Sequence, residues 1–305
     1  EDPANIARIA QEILDKMARP FQLGSETAYV SASIGISLYP EDGHKVEELL
    51  KNADQAMYAA KHLGRNRFSY FTPFMQEAAQ IRMRLANDLR MALSENQFRV
   101  YYQPIVELAT GIVHKAEALI RWQHPTEGLV SPAAFIPIAE ETGLIVSLGE
   151  FILRRACEQM CRWQTHQPRQ FRVAVNMADR QLRNKDLLAT VGNALKDTGC
   201  RPEWLELEVT ETAMMQDRGR AAAILRVLTD MGISVAVDDF GTGYSNLSYL
   251  IDFSFQKLKI DRSFVSRMDT DSSSGAVVST IVGLSRALGV HTIAEGVETE
   301  NQATL

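Results

Sequence analysis

From residue 98 onward the chain alternates short apolar runs with amphipathic stretches, and this alternation limits the folds open to it more than any other feature. Runs at Phe98–Leu108, Val113–Trp122, Phe171–Met177, Trp204–Thr210, Ile233–Phe240, Phe255–Ile260 and Val290–Ala294 read as strands. Between them, Pro132–Thr142, Leu148–His166, Arg180–Thr198, Gly219–Met231 and Gly275–Leu288 read as helices. Mostly apolar strands interleaved with helices need cover on both faces, which a parallel sheet with helical layers supplies. The first pair differs. Only ATG (109–111) joins them, too short for a crossover, so these two strands must run antiparallel. The seven strands predict an α/β fold, a modified (β/α)8 TIM-like barrel with an antiparallel first strand and without its last unit, in preference to an open sheet.

The first 72 residues follow another pattern. Asn5–Met17 is amphipathic, Ala28–Leu38 alternates like a strand, Val46–His62 reads as a helix and FSYF (68–71) as a strand. This is short for a domain and reads as an incomplete α+β remnant. A polar stretch rich in Met, Arg and Ala follows, giving a hinge helix over 73–88 and leaving 89–305 to the barrel.

Acids outnumber bases 38 to 32, for a net charge of −6. A general duplex nucleic-acid binder wants a basic face, so that class is disfavoured, whereas a small anion needs only a local cation. No apolar run approaches the roughly 18–20 residues of a membrane span, and EDPANIARIA is no signal peptide. No membrane contact is expected of this chain, although a longer parent is left free to be anchored. Cys157, Cys161 and Cys200 lack the paired spacing and nearby histidines of a zinc site. They read as buried or half-buried thiols of a reducing, cytoplasmic compartment.

Strand after strand ends in an acid, an amide or a lysine: Glu117, Asn176, Glu206 with Glu208 and Glu211, Asp238 with Asp239, Lys259 with Asp261, and Glu295 with Glu298. In a barrel these ends converge on one face, where active sites lie. Alternation puts Glu206 with Glu208, and Lys257 with Lys259, on a shared side. At any single position an acid that caps the next helix or lies on the solvated rim is the commoner explanation. Six strands in succession make that explanation weaker, because buried carboxylates must be paired or metal-bound. If Glu117, Asn176, Glu208, Asp238, Asp239 and Glu295 meet, two divalent cations would relieve the repulsion among them. A donor set of oxygen alone suits Mg²⁺, Mn²⁺ or Ca²⁺ and disfavours zinc or copper. The adjacent acids Asp238 and Asp239 suit a bridge between two metals, an arrangement that hydrolyses phosphodiesters. Lys259, held near such cations, is expected to have a depressed pKa and to accept or relay a proton. Arg121, four after Glu117, is expected just beyond the strand tip, where it could fork onto a phosphate or merely pair at the surface. Gly241 and Gly243 follow the acid pair and give a loop that can approach a ligand.

The motifs YYQPI (101–105), EALIRW (117–122), VNM (175–177), LEVTE (207–211), DDFGTGYSNLSYL (238–250), LKID (258–261) and AEGVET (294–299), in this order, resemble the bacterial EAL domain of cyclic di-GMP phosphodiesterases. The resemblance covers about Leu89 to Leu305. It implies metal-dependent hydrolysis of cyclic di-GMP to linear pGpG with two Mg²⁺ or Mn²⁺ ions, Ca²⁺ being inhibitory, and a homodimer formed through this domain. It also implies that Glu117, Asn176, Glu208 and Asp238 hold one metal. Asp238 and Asp239 hold the second, with Glu295 acting directly or through water. Lys259 is implied as general base or water-orienting group. Gln103, Leu119, Arg121 and Asp239 would contact substrate, Asp261 would line the guanine or metal pocket, and Glu211 would anchor the DDFGTG loop. The family continues past AEGVE to a further strand, so the chain is expected to be a fragment. SASIGIS (31–37), ADQAMYAAK (53–61) and GRNR (64–67) resemble the C-terminal part of a GGDEF (diguanylate cyclase) domain, with Lys61 and Arg65 at phosphate-holding positions. The metal-binding turn of that family is absent, so this remnant is expected only to pack.

Three functions follow for test: an active phosphodiesterase, a silent module that senses the dinucleotide, and a barrel enzyme that stabilises an enolate with Mg²⁺ and Lys259 as base. Intact motif acids favour the first. A pair of bridging acids with Arg121 suits phosphodiester chemistry better than the third.

Overall fold

The computed structural model describes residues 3–24, 26–166, 171–242 and 247–304. Chain contacts divide it into two units, Glu1–Asn87 and Asp88–Leu305.

The second unit is built on one curled sheet. Its strands are β1 (Phe98–Val106), β2 (Val113–His124), β3 (Arg172–Met177), β4 (Leu205–Thr210), β5 (Ser234–Phe240), β6 (Lys257–Ile260) and β7 (His291–Ala294). They lie side by side in the order β1 to β7, and the short strand Gly128–Val130 pairs with β2. β1 and β2 are antiparallel, as their short connection (107–112) requires, and every later neighbour along this order is parallel. Among the described residues β7 and β1 are not paired with each other, so the path stays open between them. The sheet is a half-barrel of TIM-like kind within an α/β fold.

The core shows why these runs became strands. Val173, Val175, Leu205, Leu207, Val209, Val235, Val237 and Leu258 are all buried, and they alternate with the polar residues of the inner face. Phe98, Trp122 and Phe135 form an aromatic cluster, with Phe98–Trp122 and Trp122–Phe135 ring centroids 5.7 and 5.6 Å apart. Trp122 Nε1 donates to Gln97 Oε1 at 2.8 Å, so the buried indole is satisfied. The cluster sits at one end of the β1–β2 ladder. The register set there places Gln103 opposite Glu117, and Tyr101 opposite Leu119.

Two expectations about this unit need correction. β2 runs two residues beyond Trp122 to His124, because Gly128–Val130 folds back and pairs with it. Arg121 lies inside this strand, three residues from its end, rather than past its tip. The stretch Arg180–Thr198 is two helices, Asp179–Leu182 and Leu187–Thr198. Asn184 Oδ1 accepts the Asp186 amide at 3.0 Å, the local side-chain competition that asparagine offers a helix.

In the first unit the helices Pro3–Met17 and Val46–His62 accompany two small sheets. Ala28–Leu38 is not one strand. Glu26–Ala28 pairs with Phe21–Leu23, whereas Ser33–Ile36 pairs in parallel with Arg67–Tyr70. Gly35 lies under the helix Val46–His62, where a Cβ would fall 1.8 Å from Ala53 O, so only glycine permits that packing. Lys61 and Arg65 are exposed on this unit. The helix Pro73–Ala92 spans the division between the units.

Candidate active site

The inner face carries two rungs of polar side chains, set by strand alternation. In the upper rung Lys259, only 1% exposed, is the centre. Its Nζ lies 2.5 Å from Glu208 Oε2, 2.7 Å from Glu295 Oε1, 3.0 Å from Asp238 Oδ2 and 3.6 Å from Glu117 Oε2. Asn176 Nδ2 donates to Glu117 Oε1 at 2.6 Å, adding the amide to the group. Six residues from β2, β3, β4, β5, β6 and the end of β7 are thus drawn together around one ammonium.

Burial alone would push the Lys259 pKa down, but Glu208, Asp238, Glu117 and Glu295 together outweigh it and hold it above the usual lysine range. The depressed pKa expected of Lys259 belongs to a site that holds cations; with carboxylates alone around it the direction is upward. Burial pushes Glu208 up to about 7, aided by Glu117 and opposed by Lys259 and Lys115. Glu295 is raised by burial and by Asp238 and Glu117, against the pull of Lys259.

Asp239 is set apart from its neighbour. Its φ of 53° falls in the left-handed region, and the β5–β6 register shifts between Val237 and Phe240. This is a bulge of the kind that re-aims a side chain. The Asp239 amide donates to Asp238 Oδ1 at 2.9 Å, and its carboxyl is raised by partial burial and by the charges of Asp238 and Asp261. Glu211, buried at the start of the helix Glu211–Gln216, accepts the Gly241 amide at 3.2 Å and so ties the residues after Asp239 to β4. Gly243 and the rest of 243–246 lie outside the described residues.

Other expected residues are placed differently. Asp261 accepts the Ser263 amide at 2.9 Å and caps the helix Arg262–Val265, and Glu298 pairs with exposed Arg262 at 2.7 Å. Glu117, Leu119 and Arg121 alternate along one face of β2, all half-buried, and Gln103 is exposed across from Glu117. Arg121 lies 5.7 Å from the centroid of the Tyr101 ring and donates to Ile120 O at 2.8 Å. Tyr101, 49% exposed on the same side as Leu119, is a candidate contact that the sequence reading missed. Its signal was its place two residues before Gln103.

In the lower rung, Glu206 and Lys257 stand on the expected side and Lys115 is the member that was missed. Lys115, two before Glu117, is buried, and both it and Lys257 bond the carboxylate of fully buried Glu206. Despite burial, these two lysines hold the Glu206 pKa below its usual range.

The upper rung fits hard divalent cations by its chemistry. Its donors are oxygen only, the ligand type that such ions take. Buried Glu208 Oε1 receives no hydrogen bond. Among the described residues no three acids, histidines or cysteines form a ready-made chelate, because the carboxylates are gathered on Lys259. Cys157, Cys161 and Cys200 are free thiols away from these rungs. No described helix is long and apolar enough to cross a membrane.

Comparison with known proteins bears on this geometry. The family model of the EAL domain matches residues 86–305, and that of the diguanylate cyclase, GGDEF domain, matches residues 1–67. The bifunctional diguanylate cyclase/cyclic di-GMP phosphodiesterase MucR of Pseudomonas aeruginosa is 44% identical over 301 residues, covering 99% of this chain and 44% of its own length. The cyclic di-GMP phosphodiesterase NbdA of the same organism is 40% identical over 294 residues, covering 96% of this chain and 38% of its own. The chain therefore spans less than half the length of these curated relatives. The solved PaMucR phosphodiesterase, in complex with c-di-GMP, aligns with a TM-score of 0.71 at 44% identity, covering 72% of this chain and 90% of that one.

Proposed function

The chain belongs to the EAL domain family, and from that premise we propose that it hydrolyses cyclic di-GMP to linear pGpG with two divalent cations, Mg²⁺ or Mn²⁺. The gathering of Glu117, Asn176, Glu208, Asp238 and Glu295 around Lys259 carries this reading. Its support outside the chain is that MucR and NbdA are named cyclic di-GMP phosphodiesterases.

Glu117, Asn176, Glu208 and Asp238 would hold one cation. Asp238 and Asp239 would hold the other, with Glu295 completing the set. When bound, such ions neutralise phosphate charge and lower the pKa of water. The chain's own residues do the rest. Asn176 fixes the Glu117 carboxylate by its hydrogen bond. Lys259, bonded to Glu208 and Asp238, stands where it would orient water or relay a proton. Arg121, on the same strand face as Glu117 and Leu119, would fork onto a phosphate, while Tyr101 and Gln103 line that side from β1. Glu211 steadies the chain after Asp239 through Gly241.

We read residues 1–72 as the C-terminal part of a GGDEF domain and 73–88 as a hinge helix. A cytoplasmic setting fits the three free thiols. A homodimer through the EAL domain belongs to the same reading.

Chromatography of cyclic di-GMP after incubation with Mn²⁺ tests the proposal, with pGpG as the expected product. Glu117→Ala is expected to lose more than about a hundredfold in turnover by dismantling the metal shell, while the dinucleotide still binds in Ca²⁺. Unaltered nucleotide with tight binding by the parent chain would instead make it a sensor.

A further inference from the structure

Beneath the carboxylates gathered by Lys259, the lower rung is a closed set of charges that the proposed chemistry leaves unused. Lys115 Nζ bonds Glu206 Oε1, and Lys257 Nζ bonds Glu206 Oε2. Their side chains are 7%, 13% and 0% exposed for Lys115, Lys257 and Glu206. Buried ion pairs of this kind are often replaced by packed aliphatic side chains with no loss of stability. Filling the sheet's interior therefore does not account for them.

Their role is visible at Glu208. One oxygen, Oε2, accepts from Lys259 at 2.5 Å. The other, Oε1, is buried without a hydrogen bond, and Lys115 Nζ stands 3.6 Å from it. Lys115 is not free to close that gap, because Glu206 holds it and Lys257 holds Glu206. The Glu208 carboxylate is thus bonded by Lys259 through Oε2, while Oε1 is faced at 3.6 Å by an immobilised positive charge that stops short of bonding it.

We propose that Lys115, anchored through Glu206 to Lys257, is a positioning residue that fixes the Glu208 carboxylate and leaves its Oε1 available to a divalent cation. This rests on the two-cation reading above. The proposal differs in sign from a bare charge effect. Removing a positive charge near a cation site would by Coulomb's law tighten metal binding, whereas loss of positioning loosens it.

The test is Mn²⁺ binding by the 305-residue chain without nucleotide, read from the electron paramagnetic resonance signal of free Mn²⁺. The double variant Lys115→Met with Glu206→Gln removes one charge of each sign and keeps the rung's net charge. Its Mn²⁺ dissociation constant is expected to rise about tenfold, as for lost supports of metal ligands. Lys115→Arg alone, which keeps the charge and the bond to Glu206, is expected to retain most of the affinity. Unchanged or tighter Mn²⁺ binding by the folded double variant overturns the proposal, as does a lower melting temperature with no change in affinity. If the double variant fails to fold, Lys115→Gln takes its place, with weaker Mn²⁺ binding expected and unchanged binding fatal. Failure of the parent chain to bind Mn²⁺ overturns the two-cation reading and this inference together.

Discussion

Lys259 shows how much one side chain can organise: four acids from four other segments face a single buried ammonium. The consequence for pH falls on Glu208, pushed up to about 7 from an ordinary carboxyl value near 4.5. A carboxyl raised in the folded state binds its proton more readily there than in the unfolded chain. Its contribution is full below the unfolded pKa and is lost as pH rises through the folded one. In chelator, the stability of the parent chain relative to Glu208→Gln should therefore fall by about 3 kcal/mol between pH 4.5 and pH 7.5. Urea unfolding across that range checks it, and a difference that stays flat would contradict it. The acids themselves were legible in the sequence because each stands at the end of an apolar run. Lys115 was not, because a lysine in a strand reads as solvated until its partner is known, and Glu206 is 91 residues away. Asp261 is a different case, since a local cap engages one of its oxygens within two residues.

Among the elements, the β1–β2 ladder does most to set the site's entrance, since its register brings Gln103 and Tyr101 opposite Glu117 and Leu119. The cluster of Phe98, Trp122 and Phe135 fixes the end of that ladder, with Trp122 wholly buried. Trp122→Ala should cost about 3–5 kcal/mol through lost burial and the cavity left behind. Denaturant unfolding of the variant measures this, and a loss under about 1 kcal/mol would mean that the ladder is held elsewhere. The antiparallel start followed from a connection too short for a crossover, a constraint that needs no tertiary knowledge. The extension of β2 to His124 did not, because it depends on Gly128–Val130 folding back onto it. The bulge that turns Asp239 into the left-handed region is likewise a matter of how β5 and β6 register, which neighbouring residues alone do not dictate.

At the scale of the molecule, an all-oxygen acidic site implies that metal and folding are linked. Mn²⁺ bound only by the folded chain should stabilise it by about 2.7 kcal/mol at a hundredfold excess over its dissociation constant. Melting temperatures in chelator and in Mn²⁺ measure this directly, and identical values would remove the linkage. The sequence by itself determined the alternation of strands and helices, the side of each strand on which its polar residues lie, and the oxygen-only character of the donors. These are local properties, set by a side-chain period of two and by the order of residues along the chain. Tertiary structure decided which acid meets which lysine. Lys259 touches Glu117 and Glu295 only because the sheet curls and its strands pair in one register, and Glu206 rather than solvent meets Lys115 for the same reason. Proximity across strands depends on curvature and register summed over the whole sheet, and no window of sequence contains that sum.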